Sequence, residues 1–233
     1  MNDGVGASER ARAADIGRFR GRVPASTVAR LPLYLRCLVH AQALRMPIIS
    51  SVQLAEMAGV TAAQVRKDLS YLGELGTRGT GYDVDSLISD ITEALGLTSH
   101  RNVAVFGYGR LGSALRNYGG FMDRGFSVVA VFDSDPDKIG QTSGDLIVED
   151  VADCGRILRE RDVDIAVIAT PAQAAQQVAD AAVAAGVTSI LNFAPVVVSV
   201  PDGVALRQVD LASELQILSF HLAQASEAAA DGV

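Results

Sequence analysis

The chain has 233 residues, of which 49% are hydrophobic and 20% charged, an ordinary globular balance. No apolar run approaches the roughly 20 residues that span a bilayer, and the first residues hold no apolar core of the secretory kind. The two cysteines, Cys37 and Cys154, form neither a disulfide framework nor a Cys-His metal spacing, so a cytoplasmic protein with two small core thiols is expected.

The net charge of −7 is unevenly spread: residues 1–82 carry +5 and residues 83–233 carry −12. A cationic head on an acidic body fits binding to a polyanion. The signal is diluted because Arg10, Arg12, Arg18, Arg20 and Arg22 all lie in residues 1–22, which lack apolar periodicity and read as a disordered leader.

From Ala25 to about Leu44, Val28, Leu31, Leu35 and Leu38 recur at helical spacing, with a kink or fresh start expected at Pro32. Ser50 or Ser51 then caps a short helix closed by Gly59. Thr61 caps the next, whose Val65, Leu69 and Leu72 form an inward stripe. At 100° per residue the opposite face carries Ala63, Lys67 and Ser70, flanked by Gln64 and Tyr71, with Arg66 to one side. Helix, tight turn and a second helix with a cationic, hydrogen-bonding outer face is the helix-turn-helix layout, in which the second helix enters the major groove. GELGTRGTGYDV follows, with Gly73, Gly76, Gly79 and Gly81 around Arg78. Such a ribbon suits a narrow minor groove and makes the whole, over 23–84, a winged helix. The plainer reading of the same residues is a packing or dimerisation domain. Residues 85–100 read as a linker helix.

The run NVAVFG (102–107) has the pattern of a buried parallel strand. Gly107, Gly109 and Gly112 then spell G-Y-G-R-L-G, with Arg110 and Leu111 opening a helix. In a dinucleotide site the first glycine makes the turn, the second admits a pyrophosphate and the third lets helix and strand pack closely. A second strand, SVVAVFD, ends in Asp133, placed to accept ribose hydroxyls and to disfavour a 2′-phosphate, so NADH and NAD+ are expected over the phosphorylated forms. Asp135 is the alternative ribose partner, with a solvated loop acid as its plainer reading. Strand DIAVIATP, a helix over 172–185 and strand SILNFAP continue the alternation of a Rossmann-type doubly wound α/β sheet over 101–210. Thr170 and Pro171, with Asn192, Ala194 and Pro195, fall at strand carboxyl ends, where they line the nicotinamide half. Residues 211–227 form a last helix so apolar on several sides that it reads as a dimerisation element, exchanged between subunits of a homodimer. Packing on its own sheet is the competing reading.

No acid/base for hydride transfer stands at a strand end. No tyrosine has a lysine four residues on, and His40, His100 and His221 lie elsewhere. Binding without turnover follows.

Over residues 23–222 the chain resembles the Rex redox-sensing transcriptional repressors. The resemblance rests on VPASTVARLPLYLRCL, QVRKDLSYLGELGTRGTGYDV, GYGRLGSAL, FDSDP, LNFAPVV and VDLASELQILSFHL. It implies a homodimer with winged-helix heads and swapped terminal helices, which holds double-stranded operator DNA when NADH is low and leaves when NADH rises. It also implies DNA-facing roles for Arg66, Lys67 and Arg78, cofactor roles for Gly107, Gly109, Gly112 and Asp133, and coupling roles for Arg36, Tyr118 and Asp210. The leader and Pro32 depart from the pattern. TPAQAAQQVADAAVAAGV with ILNFAP also looks like the CoA-binding domains of acyl-CoA synthetases, which keeps a CoA-binding or oxidoreductase-like subunit as the alternative. A DNA-binding scaffold with a purely structural nucleotide is a third.

Overall fold

In a computed structural model, residues 23–73 and 81–230 are described, with side chains to 224. The leader (1–22) and Arg78 at the ribbon's tip lie outside the described residues. The chain divides into two compact units that part between Ser99 and His100.

In the first unit, α1 (Ala25–Ala43), α2 (Ser51–Ala58), α3 (Ala62–Ser70) and α4 (Val84–Ala94) enclose one core. Ser50 and Gln53 form a reciprocal capping box on α2, Gly59 closes that helix, and the Thr61 hydroxyl caps α3 by accepting from the Gln64 N–H. Strands β1 (Ile48–Ile49) and β2 (Tyr82–Asp83) pair antiparallel, so the chain just after Gly81 returns to the segment ahead of α2. Gly81 makes that return possible. Its φ is +96°, and a Cβ there would lie 2.7 Å from the Ile49 carbonyl oxygen.

Helix α1 does not restart at Pro32; it runs through it unbroken. The missing N–H and the ring cost about 3 kcal/mol. Burial of Leu31, Tyr34, Cys37 and Leu38, at roughly 1.5–3 kcal/mol for each large apolar side chain, outweighs that. The buried stripe is also rotated from the expected one: Val28 is exposed, and Thr27 and Tyr34 face inward. Residues 85–100, expected as a linker helix, contain most of α4, whose Val84, Leu87 and Ile91 are core residues of this unit. Gln42 of α1 donates to Asp85 of α4 at 2.6 Å.

The polar contact that sets this rotation is buried. Asp68, on the inner side of α3, has no solvent exposure. One carboxylate oxygen accepts from Thr27 Oγ1 (2.9 Å), Arg30 Nη2 (2.8 Å) and Gln64 Nε2 (2.9 Å). The other accepts from Arg30 Nε (2.6 Å) and Tyr34 Oη (2.8 Å). These bonds fasten the start of α1 across α3.

The second unit is a seven-stranded sheet in the order β5-β6-β4-β3-β7-β8-β9. Its strands are β3 (Arg101–Phe106), β4 (Phe126–Asp133), β5 (Thr142–Ser143), β6 (Leu146–Asp150), β7 (Ile165–Ile168), β8 (Ser189–Asn192) and β9 (Ala205–Gln208). All neighbours are parallel except β5 with β6. Side-chain alternation gives each strand two apolar faces. Ala104, Phe106, Ala166 and Ile168 pack in a large core with α6 (Cys154–Glu160) and α7 (Ala172–Ala184), whereas Val103, Val105 and Val167 pack opposite with Leu115 of α5 (Arg110–Arg116). The chain order turns back between β3 and β7, so a crevice opens at their carboxyl ends. Both cysteines are buried, Cys37 in the first unit's core and Cys154 in the second's.

Helix α8 (Leu211–Ala230) does not pack on its own sheet: Leu211, Leu215, Ile217, Leu218, Phe220 and Leu222 are all at least 51% exposed. Among the described residues no helix is long and apolar enough to cross a membrane.

Burial alone pushes the Asp68 carboxyl up, but hydrogen bonds from Arg30, Tyr34, Thr27 and Gln64 outweigh it and hold it down at about 2. A carboxylate whose folded pKa is depressed adds stability that is complete above the ordinary carboxylate range and lost as pH falls through the folded value. The stability of the first unit, read as its melting temperature, is therefore expected to fall progressively below about pH 4. Asp68→Asn, which leaves the Arg30 guanidinium without its partner, is expected to cost about 3–5 kcal/mol in denaturant titrations at neutral pH. An unchanged midpoint would remove this network from the account of the fold.

Candidate functional site

In the first unit, Arg66, Lys67 and Ser70 are exposed on α3, and Gln64 and Tyr71 are half-buried at its flanks. Three of the side chains expected to face DNA have partners within the protein. Gln64 donates to Asp68, and Arg66 Nη1 donates to Ser51 Oγ at 2.9 Å. The Ser70 hydroxyl donates to the Lys67 carbonyl at 2.7 Å. The outer face of α3 is thus cationic and pre-ordered, a surface suited to phosphate oxygens and base edges.

In the second unit, a cavity of about 850 Å3 opens at the carboxyl ends of β3, β4 and β7. Gly107, Gly109, Arg110, Leu111, Asp133, Thr170, Pro171 and Pro195 line it, as the sequence led one to expect, over a floor of Phe106 and Phe132. Those two rings stack with centroids 4.8 Å apart. Ala174, Val178 and Ala181 of α7 form an apolar wall.

The three glycines do different work. Gly107 has φ +95°, and a Cβ on it would lie 2.6 Å from the Ala169 carbonyl oxygen. A Cβ on Gly112 would sit 1.7 Å from the Gly107 carbonyl oxygen. Both are required by the protein's own packing. Gly109, the N-cap of α5, has nothing within 4 Å of where a Cβ would be, and its backbone is extended. No internal contact demands a glycine there, so its missing side chain leaves room at the cavity for something else. The first-turn N–H groups of α5, which have no intrahelical acceptors, lie beside it.

Thr170 Oγ1 is buried in the cavity lining without a hydrogen-bond partner. An orphaned buried hydroxyl is uncommon, and this one belongs to the lining of a cavity in which a ligand would satisfy it. The orphaned donor and the open space at Gly109 together fit a dinucleotide.

Asp133, at the end of β4, accepts from the Tyr108 N–H (2.7 Å), the Asp135 N–H (2.9 Å) and Lys138 Nζ (3.1 Å). Burial pushes its carboxyl up, yet those donors hold it below the usual range. Lys138, which sequence reading passed over, lines the cavity and also lies 3.5 Å from Asp135. Its place five residues after Asp133 in FDSDPDKIG was the available signal.

Asn192 and Ala194 do not line the cavity. Asn192 is fully buried, donates to the Val196 carbonyl (2.9 Å) and Gln208 Oε1 (2.7 Å), and accepts from the Ala194 N–H (2.9 Å). It braces the loop that carries Pro195 to the rim. Gly112 likewise lies behind the lining.

Among the residues expected to couple the two functions, Arg36 is exposed on α1 and Tyr118 is exposed with its ring edge-on to Phe121 at 5.2 Å. Asp210 accepts from the Ala212 N–H (2.9 Å) and Ser213 Oγ (2.8 Å), which caps the start of α8. These bonds hold its carboxyl below the usual range.

A helical unit with a cationic reading helix and a parallel sheet with a dinucleotide crevice define a ligand-responsive DNA-binding protein. Residues 22–70 match the family "Putative DNA-binding protein N-terminus" and residues 98–196 match "CoA binding domain". The redox-sensing transcriptional repressor Rex of Streptomyces coelicolor is 54% identical over 92% of this chain and 84% of its own. That of Chloroflexus aurantiacus is 47% identical over 88% and 96%. Among solved structures, RSP, a Rex-family repressor, in complex with β-NAD+ and operator DNA superimposes with TM-score 0.83 at 36% identity, covering 89% of this chain and 95% of RSP. RSP in complex with β-NADH gives 0.80 at 35%, covering 89% and 97%. This chain belongs to the Rex family of redox-sensing transcriptional repressors, which are not enzymes.

Gly112→Ala is expected to destabilise the ligand-free protein by about 3 kcal/mol or more, since its methyl meets backbone. Gly109→Ala should stay within about 0.5 kcal/mol of the parent. Thermal melting without nucleotide separates them, and equal losses would refute the division of labour among the glycines.

Proposed function

We propose that this chain holds operator DNA through its first unit while NADH is scarce, and releases it when NADH occupies the cavity of the second. The supporting observation is the open space at Gly109 in the same cavity as the orphaned Thr170 hydroxyl, in a chain whose solved relatives were captured with β-NADH and with β-NAD+ and operator DNA. Gly107, Gly109, Arg110 and Leu111 would hold the pyrophosphate, the corner at Asp133 the adenosine ribose, and Thr170, Pro171 and Pro195 the nicotinamide half. Gly112, Asn192 and Ala194 support these from behind. Oxidised nicotinamide carries a positive charge that the reduced ring lacks, so an apolar enclosure favours the reduced form.

Lys67, Arg66 and Ser70, with Gln64 and Tyr71 at the flanks and Arg78 on the ribbon, are the DNA-facing set. The exposed apolar face of α8 fits a second copy of the chain, giving a homodimer with α8 exchanged between subunits and two heads at half-site spacing. The working division is a head that extends through α4, a short connector, the sheet to Asp210, and α8. A repressor that reads a soluble dinucleotide works in the cytoplasm. Arg36, Tyr118 and Asp210 form the latch through which nucleotide occupancy alters head spacing, with a coupling of ~1–3 kcal/mol, or about 5- to 150-fold in DNA affinity. The match to a CoA binding domain supports CoA as the competing occupant.

Operator affinity measured with NADH, NAD+, NADPH or CoA present tests the proposal. NADH is expected to weaken binding at least fivefold and CoA to leave it unchanged; equal affinity with and without NADH sinks it. Lys67→Ala should weaken operator binding and shallow its salt dependence, with NADH affinity retained. Because Asp210 also caps α8, Asp210→Asn is the sharper probe of the latch, since asparagine still caps but carries no charge. Its DNA binding should respond little to NADH, and a full response removes Asp210 from the latch.

A further inference from the structure

Two acids and one lysine meet at the end of β4, and they are not equivalent. Asp133 is the inner one, its side chain 9% exposed. Of the roughly four acceptor sites on a carboxylate, three are already taken by the N–H groups of Tyr108 and Asp135 and by Lys138 Nζ. The bond from Tyr108 matters most for architecture, because Tyr108 sits between Gly107 and Gly109. Asp133 is thereby the fastening of the glycine loop to the end of β4. Asp135 is the outer acid, 42% exposed, with one oxygen accepting from the Asp137 N–H at 3.0 Å and the other facing Lys138 at 3.5 Å. Lys138 is 33% exposed, and its ammonium has three donors to share between the two acids. All three residues line the cavity.

From this arrangement we infer that the ribose of the bound dinucleotide is read by Asp135 and Lys138 acting as a pair, and that Asp133 is a positioning residue for the glycine loop. The inference rests on the proposed dinucleotide site and departs from the expectation that Asp133 itself takes the hydroxyls. An accessible acceptor beside an accessible donor complements a vicinal diol: one hydroxyl donates to the Asp135 carboxylate, and its neighbour accepts from Lys138. The same corner disfavours a 2′-phosphate, because two carboxylates against one ammonium leave a net negative charge where the phosphate would lie. Without the Asp135 charge, the ammonium is opposed by Asp133 alone and becomes a phosphate partner.

The test is fluorescence titration of the full-length protein with NADH and with NADPH, for the parent and for Asp135→Asn, Asp133→Asn and Asp135→Asn with Lys138→Met. The parent should prefer NADH. Asp135→Asn should reduce that preference tenfold or more, mainly through tighter NADPH binding, and adding Lys138→Met should abolish the gain. Asp133→Asn should weaken both nucleotides with their ratio kept. Asp135 and Lys138 lie at the surface, so the outcome does not depend on whether the Asp133 variant folds. A preference that survives Asp135→Asn overturns this assignment alone, whereas a parent that binds neither nucleotide overturns the proposed function with it.

Discussion

The close approach of the glycine loop to the strand beside it is the constraint on which the binding crevice depends. Gly112 lies against the Gly107 carbonyl, Gly107 lies against the backbone at Ala169, and the Asp133 carboxylate ties down the amide between the first two glycines. Each contact removes freedom from the loop and presents the middle glycine, Gly109, to open space. The crevice is therefore set before any ligand arrives, and a ligand gains affinity from a loop that need not be ordered on binding.

A comparable economy governs the head. A buried carboxylate is costly unless every acceptor site is filled, and Asp68 gathers donors from three side chains of α1 and one of α3. The angle between the reading helix and the first helix is thereby tied to hydrogen-bond geometry, which is more directional than apolar packing. Gln64 takes part in this while sitting at the edge of the surface proposed to meet DNA, so the reading surface and the scaffold share one side chain.

Most of the architecture was legible because it follows from period and punctuation. The four parallel strands read from the sequence, the Gly59 turn and the Thr61 cap stand where the pattern placed them, and of the two serines offered for α2 it is Ser50 that caps. What escaped depended on tertiary contacts. Pro32 signals a break locally, but the core holds α1 through it. Asp68 carries no local signal of its own, although its phase, one residue before Leu69 and three after Val65, puts it inside. Asn192 stands at the expected strand end but turns inward, because its amide satisfies three backbone or side-chain partners there. Lys138 stands on a loop whose path no periodicity describes.

The burial of both thiols bears on how this protein learns the oxidation state of the cell. Cys37 and Cys154 are shielded, and desolvation raises the pKa of each, so neither offers the exposed thiolate on which peroxide or disulfide chemistry acts. The reversibly bound dinucleotide proposed above would supply the information without damage to the chain. Such a gauge leaves no covalent mark on the polypeptide and needs no reductase to reset it.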